Sequence, residues 1–395
     1  MPLDFRSFAA RALLVLAVLI ALLAVAHPAP LPPPRPTPTP IVVPPPTVSY
    51  PLLHTGSPEY AIQAFLYWHL DAAERDLDLV KDMGFGWVKQ GFAWRDIEGY
   101  KGAPYDWYRT DYVVNLAEKR GLKIIARIDR QPFWAQADGG AIPLANSPPA
   151  DYADYGRFCH DIAERYRGRI PAYQVWNEPN LSREWGDRPP NAGEYAQLLK
   201  VCYEAIKSAD PNAIVISAPL APTGTDLPVA IPDDVYFQQM YDAGAKPYFD
   251  MLGVNAPGYL VPPQTDPAEV AANDALGGHR WNSFRHVEDI RAIMTRNGDA
   301  DKQIAVLEMG WTTDPIHPDY AWFAVTEQQQ ADYLVGAYRW AREHWTPWIG
   351  IMTTIYIADP EWTQNTEQYW WAITLPDYPE TRMRPAYWAL KRMQK

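Results

Sequence analysis

Strand-like and helix-like segments alternate in strict order from about residue 55 onward, and this order limits the possible folds more than any other feature of the sequence. Short apolar runs predict strands, and amphipathic stretches that end at Gly or before Pro predict helices. The predicted strands are 61–66, 87–92, 122–128, 173–176, 213–218, 249–254, 304–307 and 348–355; the predicted helices are 71–83, 108–120, 151–167, 193–208, 235–243, 283–296, 326–344 and 385–393. Eight strand–helix pairs in sequence predict an α/β fold of the (β/α)8 TIM-barrel type, whose functional side chains lie at the carboxyl ends of the strands.

The N-terminal residues 1–27 have the pattern of a targeting segment. Arg6 and Arg11 precede an apolar run over 12–26, which is shorter than the ~20 residues that a membrane-spanning helix usually needs. Small residues at the end of the run suit signal-peptide cleavage, so we expect a cleaved signal peptide. An uncleaved membrane anchor is the alternative, because Phe5 and Phe8 could extend the apolar span.

The sequence therefore divides into three parts. Residues 28–51 are rich in proline and predict a semi-rigid, extended linker, with plain disorder as the alternative. Residues 52–395 predict the single barrel domain. We expect the protein to be exported, and either secreted or tethered to the outer face of the cytoplasmic membrane, with possible association with the membrane or cell wall through the N-terminus.

Composition excludes one class of partner and leaves the state of the cysteines open. The net charge of −12 argues against a nucleic-acid partner, because phosphate binding needs a basic surface. Aromatic residues make up 13% of the chain, enough to supply both a core and a sugar-binding groove. Cys159 and Cys202 both fall in predicted helices; we interpret them as inert core thiols, with one disulfide as the alternative that export would permit.

Glu178 is the first candidate catalytic residue. It follows the apolar strand 170–175 in the stretch Trp176-Asn177-Glu178-Pro179, at the carboxyl end of predicted strand four. Apolar surface beside a carboxyl group disfavours its charged form, so its pKa is expected to rise and the group to remain a proton donor near neutral pH. An ordinary solvated loop glutamate is the alternative reading of this position.

Glu308 is the second candidate, and it closes the continuously apolar strand 304–307. A salt-bridged strand end is the structural alternative. In a barrel, strand seven lies three strands beyond strand four, so the two carboxyl groups are expected to face each other across the mouth. Two such carboxyl groups suffice to cleave a glycosidic bond, with Glu178 as general acid and base and Glu308 as nucleophile.

The motifs around these glutamates are similar to those of a known group of enzymes. The segments at 176–179 (WNEP) and 307–311 (LEMGW) resemble the strand-four and strand-seven motifs of clan A retaining glycoside hydrolases. The segment 92–107, which contains Trp94, resembles the strand-two region of family 39 and related family 5 groups of the cellulase type. The resemblance covers about residues 60–390 and implies a retaining double displacement, in which Asn177 binds the 2-hydroxyl of the sugar.

Further site residues are predicted around this pair. Arg127, at the end of strand three, is expected either to reach the nucleophile or to form a structural ion pair. Tyr259, with Asn255 in place of a histidine that family 39 enzymes often carry, is expected to offer its hydroxyl to the nucleophile. The candidate sugar platforms, for each of which core packing is the alternative, are Trp134, Trp311, Trp362 and Trp370, and Trp94 is expected to bind substrate.

The predicted function is cleavage of O-glycosidic bonds, expected to be β-linked, in polysaccharides or oligosaccharides. Carboxyl groups perform both proton transfer and covalent capture, so neither a cofactor nor a metal is expected. Two other functions use the same scaffold: a non-catalytic barrel that binds glycans at the cell surface, and a transglycosylase that uses the same two glutamates.

Overall fold

A computed structural model describes residues 41–395, and its centre is one closed barrel of eight parallel strands paired in sequence order. The strands are β1 (Glu59–Gln63), β2 (Trp87–Ala93), β3 (Lys123–Asp129), β4 (Ala172–Val175), β5 (Ile214–Ser217), β6 (Met251–Pro257), β7 (Gln303–Gly310) and β8 (Ile349–Thr354). β1 pairs with β8 and closes the barrel. The predicted (β/α)8 fold is confirmed.

Eight helices follow the strands and form the outer layer. They are α1 (Ala73–Asp82), α2 (Tyr108–Lys119), α3 (Tyr152–Arg165), α4 (Ala192–Ala209), α5 (Asp233–Asp242), α6 (His286–Arg296), α7 (Glu327–His344) and α8 (Pro385–Arg392). Short helical turns in the loops, among them Arg280–Asn282 and Pro318–Ala321, were not predicted. β7 runs on to Gly310, so Glu308 lies inside this strand and not beyond its end.

The core has two layers, as expected for a barrel whose strands are covered on both faces. Side chains such as Trp87, Ile125 and Leu307 fill the barrel interior. A larger cluster fills the space between the strands and the helices. This packing holds the strand ends rigidly, and the strand ends carry the site described below.

Residues 41–51, the end of the proline-rich stretch, pack against the barrel domain. The Val43 side chain is buried, and its backbone N–H donates to the Ala243 carbonyl at 2.8 Å. Gly244 (φ 82°) makes this approach possible, because a Cβ there would lie 2.9 Å from the Val43 carbonyl oxygen. The predicted targeting segment and the first part of the predicted linker lie outside the described residues.

Cys159 on α3 and Cys202 on α4 form a disulfide. The interpretation of these residues as inert core thiols is therefore wrong. Both cysteines are fully buried where the two neighbouring helices face each other, and their Cα atoms are 5.4 Å apart, within the range that a disulfide requires.

Within residues 41–395, none of the helices combines the length and the apolar character that crossing a membrane requires.

Candidate active site

Glu178 lies in a tight turn that begins directly after β4. Trp176 (φ 73°) and Glu178 (φ 37°) both have left-handed backbone conformations, which are costly for residues with a side chain. Two backbone hydrogen bonds hold the turn: Trp176 N–H donates to Ile128 O at 3.1 Å, and Glu178 N–H donates to Pro219 O at 3.0 Å. The turn fixes the Glu178 carboxyl in the wall of a cavity at the carboxyl end of the barrel.

The Glu308 side chain projects from β7 into the same cavity, and the buried Lys89 contacts it from the barrel interior. Lys89 on β2 donates from Nζ to Glu308 Oε1 at 2.9 Å and to Leu307 O at 3.0 Å. Lys89 is 1% exposed, whereas the Glu308 side chain is 17% exposed. Lys89 therefore fixes the position of one Glu308 carboxyl oxygen by a hydrogen bond and leaves the other side of the carboxyl group open to the cavity.

Asn255 connects the two glutamates. Its Nδ2 donates to Glu178 Oε1 at 2.9 Å, and its Cα is the register partner of Glu308 across the β6–β7 pair. Neighbouring strands lie about 4.8 Å apart, so this link brings both carboxyl groups to one side of one cavity.

The environment of Glu178 favours a protonated carboxyl group. Burial raises the pKa of Glu178 to about 7, and the negative charges of Glu308 and Glu184 add to the rise. Arg183 and the Asn255 amide act in the opposite direction. Solvent screens part of the Arg183 charge, because its side chain is 70% exposed where its Nη2 lies 3.4 Å from Glu178 Oε2. Glu178 can thus exchange a proton near neutral pH, as general acid–base catalysis requires.

The cavity has a volume of about 580 Å³, which is typical of small-molecule sites. Four of the predicted substrate-binding residues lie in its wall: Asn177, Arg127, Tyr259 and Trp362. Other aromatic side chains complete the lining: Phe65, Tyr320, Phe323, Tyr356 and Trp371. A cavity that combines carboxyl groups with aromatic faces suits a polyhydroxylated, partly apolar ligand such as a sugar.

Trp94 and Trp311, predicted as substrate-binding residues, belong to the core. Trp311 is fully buried, and its indole N–H donates to Val261 O at 2.9 Å. Trp94 is also fully buried; it stacks on Phe158 with 5.5 Å between ring centroids and donates from its indole to Glu98. Both assignments are corrected: each ring packs outside the barrel wall, away from the cavity.

Arg127 and Tyr259 line the cavity, but their contacts differ from the predicted ones. Arg127 Nε lies 3.1 Å from Asp129 Oδ2, so the arginine forms the ion pair that was the structural alternative. The Tyr259 hydroxyl donates to Pro222 O at 3.4 Å and makes no hydrogen bond to Glu308. Lys89 takes the supporting role that the sequence analysis gave to these two residues.

Four charged residues of the site were missed: Lys89, Arg183, Glu184 and Glu367. Lys89 interrupts the apolar strand β2, and a lysine inside such a strand was the available signal. Glu184 and Glu367 lie in loops and also line the cavity; burial raises the pKa of each carboxyl. Nothing in the local sequence marks these two loop glutamates.

One group of side chains among the described residues offers donors for a metal ion. The ligand atoms of His69, Asp359 and Glu361 lie within 4.8 Å of one another. His69 Nε2 is 3.0 Å from Asp359 Oδ1, so these two side chains already pair with each other, and Glu361 is exposed. The chemistry of the glutamate pair uses none of the three.

The fold and the site together define a (β/α)8 barrel with an acidic, aromatic-lined cavity at the carboxyl ends of its strands. Residues 54–236 match the family model described as cellulase (glycosyl hydrolase family 5). The chain thus resembles the clan A glycoside hydrolases of families 5 and 39, as the motifs predicted.

Several known glycoside hydrolases are similar to this chain in structure or in sequence. A family 39 glycoside hydrolase from Bacteroides cellulosilyticus WH2 superposes with a TM-score of 0.62 and 18% identity, over 85% of this chain and 63% of that chain. A GH5_18 protein from Streptomyces cattleya, solved in complex with GlcNAc, superposes with a TM-score of 0.60 and 14% identity, over 86% of this chain and 80% of that chain. A β-xylosidase from Geobacillus stearothermophilus is 34% identical over 87 residues, which span 20% of this chain and 17% of that protein.

Proposed function

We propose that this protein is a retaining glycoside hydrolase that cleaves β-linked O-glycosidic bonds in polysaccharides or oligosaccharides. The observation that carries the proposal is the pair of unlike carboxyl groups in one cavity. Glu178 has a pKa of about 7 and can donate a proton, whereas Glu308 is paired with the buried Lys89. Unlike environments for two neighbouring carboxyl groups are the arrangement that acid and nucleophile roles require. The family-model match and the glycosidase relatives support the same class of reaction.

In the first step, the Glu308 carboxylate attacks the anomeric carbon, and the bond from that carbon to the leaving oxygen breaks. The Glu178 proton passes to the leaving oxygen, so the departing sugar is neutral and a glycosyl ester on Glu308 remains. In the second step, Glu178 accepts a proton from water, the water oxygen attacks the anomeric carbon, and Glu308 is released as a carboxylate. Asn177, with its side chain in the cavity wall, is proposed to bind the 2-hydroxyl in both steps.

The test uses an aryl glycoside screen to find the sugar, followed by matched variants. We expect Glu308→Gln to abolish activity and Glu178→Gln to reduce it by at least about 10³-fold on unactivated substrates, since general acid catalysis contributes about 10²–10⁴-fold. Glu343→Gln is the control, because Glu343 is an exposed glutamate on α7, outside the cavity. A Glu308→Gln variant with wild-type turnover would contradict the proposal.

The same assays separate the two other functions. A glycan-binding barrel would bind oligosaccharides but convert none of the aryl glycosides. A transglycosylase would form longer products when an acceptor sugar is added, where a hydrolase releases reducing ends.

We also propose that the protein is exported and is either secreted or held at the outer face of the cytoplasmic membrane. The basic and apolar pattern of residues 1–27 supports export, and so does the Cys159–Cys202 disulfide, because disulfides persist mainly in oxidising compartments. Cell fractionation and N-terminal sequencing of the mature protein test this proposal. Protein confined to the cytoplasm would contradict it, and an intact N-terminus in the membrane fraction would indicate an anchor.

A further inference from the structure

A row of aromatic side chains extends from the cavity to the open surface, and we call it the aromatic ledge: Tyr259, Trp281, His279 and Trp322. Tyr259 lines the cavity and is only 8% exposed, whereas Trp322 at the outer end is 48% exposed. The Tyr259 and Trp322 rings are near-parallel, with 6.4 Å between centroids and 29° between planes. The ledge is therefore continuous with the proposed active site.

The ledge is held in place by its neighbours. Trp281 packs edge-on to Tyr259 at 5.4 Å, and His279 stacks on Trp281 at 5.4 Å with 12° between planes. A Cβ on Gly224 would lie 3.5 Å from the Trp281 ring, so the loop after β5 supports this indole from behind. Phe323 packs against both Tyr259 and Trp322. Such fixed, half-exposed rings offer flat apolar faces at little entropic cost on binding.

Tyr259, at the inner end of the ledge, is connected to the turn that carries Glu178. The Tyr259 hydroxyl donates to Pro222 O, in the same loop whose Pro219 O accepts the Glu178 backbone N–H. The cavity wall on the other side is formed by Trp362, which packs on Phe65 at 4.9 Å and on Tyr356 at 5.3 Å. The proton donor must face the leaving oxygen, so the leaving group of the substrate departs toward the ledge.

We propose that the aromatic ledge binds sugar rings on the leaving-group side of the cleaved bond, so that the natural substrate is a glycan chain and not a glycoside with a small leaving group. This inference rests on the proposed function and adds the position and the minimum length of the substrate. The C–H face of a pyranose ring stacks on Trp322 while the sugar hydroxyls remain in water, and Trp281, covered by His279 and the Gly224 loop, holds the ledge in place.

The experiment compares two substrates of the sugar found in the screen: its β-glycosyl fluoride, whose leaving group is too small to reach the ledge, and a β-linked oligosaccharide of four or five units. We expect Trp322→Ala to lower kcat/KM about tenfold or more on the oligosaccharide and to leave kcat/KM on the fluoride within about twofold. Trp281→Ala is expected to act in the same direction, and Trp322→Tyr to restore most of the loss. Trp388→Ala is the control, because Trp388 is 42% exposed on α8 and lies outside the cavity and the ledge.

Equal losses on both substrates, or no loss on the oligosaccharide, would overturn the assignment of the ledge. Trp322 is half-exposed, so its variants are expected to fold, and circular dichroism spectra that match the wild type confirm this. If the wild-type protein hydrolysed neither the fluoride nor any glycan, the proposed function itself would fail, which is a different outcome from an inert ledge.

Discussion

Replacing Glu178 by Gln tests the electrostatics of the site in depth, because it separates catalysis from stability. The glutamine keeps the shape of the side chain and the oxygen that accepts the Asn255 amide hydrogen bond at 2.9 Å. It removes both the transferable proton and the charge. We therefore expect the variant to lose activity and, at alkaline pH, to gain stability, as is common when a strained catalytic group is replaced.

The magnitude follows from the pKa of Glu178, which burial raises from an ordinary value of 4.5 to about 7. A folded-state pKa above the unfolded one means that the carboxyl group costs nothing below about pH 4.5, destabilises the folded protein increasingly between pH 4.5 and 7, and has a constant cost above pH 7. At about 1.4 kcal/mol per pH unit, the full cost above pH 7 is about 3 kcal/mol. The Glu178 side chain is 14% exposed, so this figure is a ceiling.

The assay is urea unfolding of the wild type and the variant at pH 4.5 and at pH 8.5, with the disulfide intact. We expect equal stability at pH 4.5 and a variant more stable by about 1–3 kcal/mol at pH 8.5. The alkaline limb of kcat/KM in the wild type is expected near pH 7 and should be absent in the variant. Glu308→Gln is the contrast, because it leaves Lys89 buried without its partner and should destabilise the protein. A Glu178→Gln variant that gains no stability at pH 8.5 would refute the reasoning.

Three further predictions concern other buried charges and the cross-link. Lys89→Met removes the ammonium group that holds the Glu308 carboxyl in position, so kcat/KM is expected to fall at least about 100-fold with little change in KM. Removing one partner of a buried ion pair also costs about 3–5 kcal/mol of stability. Lys207→Met, which removes the partner of the buried Asp250 just before β6, should reduce stability but not turnover, and equal turnover losses would contradict the role of Lys89. Replacing both Cys159 and Cys202 by Ala should lower the free energy of unfolding by about 4 kcal/mol, from the loop entropy of a 43-residue separation, and an unchanged urea midpoint would count against the cross-link. Burial opposes the charged form of His286, but two carboxylates outweigh it and raise the pKa of His286 to about 10, so the charge stabilises the fold fully below about pH 6.5 and progressively less as pH rises toward 10. His286→Gln should therefore lower the free energy of unfolding most at pH 6. A loss of stability that does not vary with pH would be inconsistent with this charge.

The barrel could be predicted from the sequence because the signals for each strand and helix lie within that segment of the chain. Each strand and helix carries its own periodicity and end signals, and the closed barrel follows from their order. Glu178 and Glu308 could be found for the same reason, since Glu178 follows an apolar strand and Glu308 lies near the carboxyl end of another, at the functional end of the barrel.

The parts of the site that sequence analysis missed depend on contacts between distant segments. Asn255 was named from the sequence, but its contact with Glu178 depends on how the closed barrel brings β6 toward the turn after β4, and Lys89 meets Glu308 across the barrel interior. Position in the sequence does not distinguish a core tryptophan from one that lines the cavity. Trp311 and Trp362 both come after a strand, but only Trp362 lies in the cavity wall, whereas Trp311 is buried in the core. The disulfide required the relative placement of α3 and α4, which spacing along the chain does not give.

The central claim is that Glu308 forms a covalent bond to the sugar, and trapping that intermediate tests the claim most directly. The protein would be incubated with 2-deoxy-2-fluoro-β-glycosyl donors of the sugar found in the screen, digested and sequenced by mass spectrometry. We predict a mass increase of one fluoroglycosyl unit on the peptide that contains Glu308, at this residue, and a product that keeps the β-configuration. A label on another carboxyl group, or a product of inverted configuration, would contradict the account.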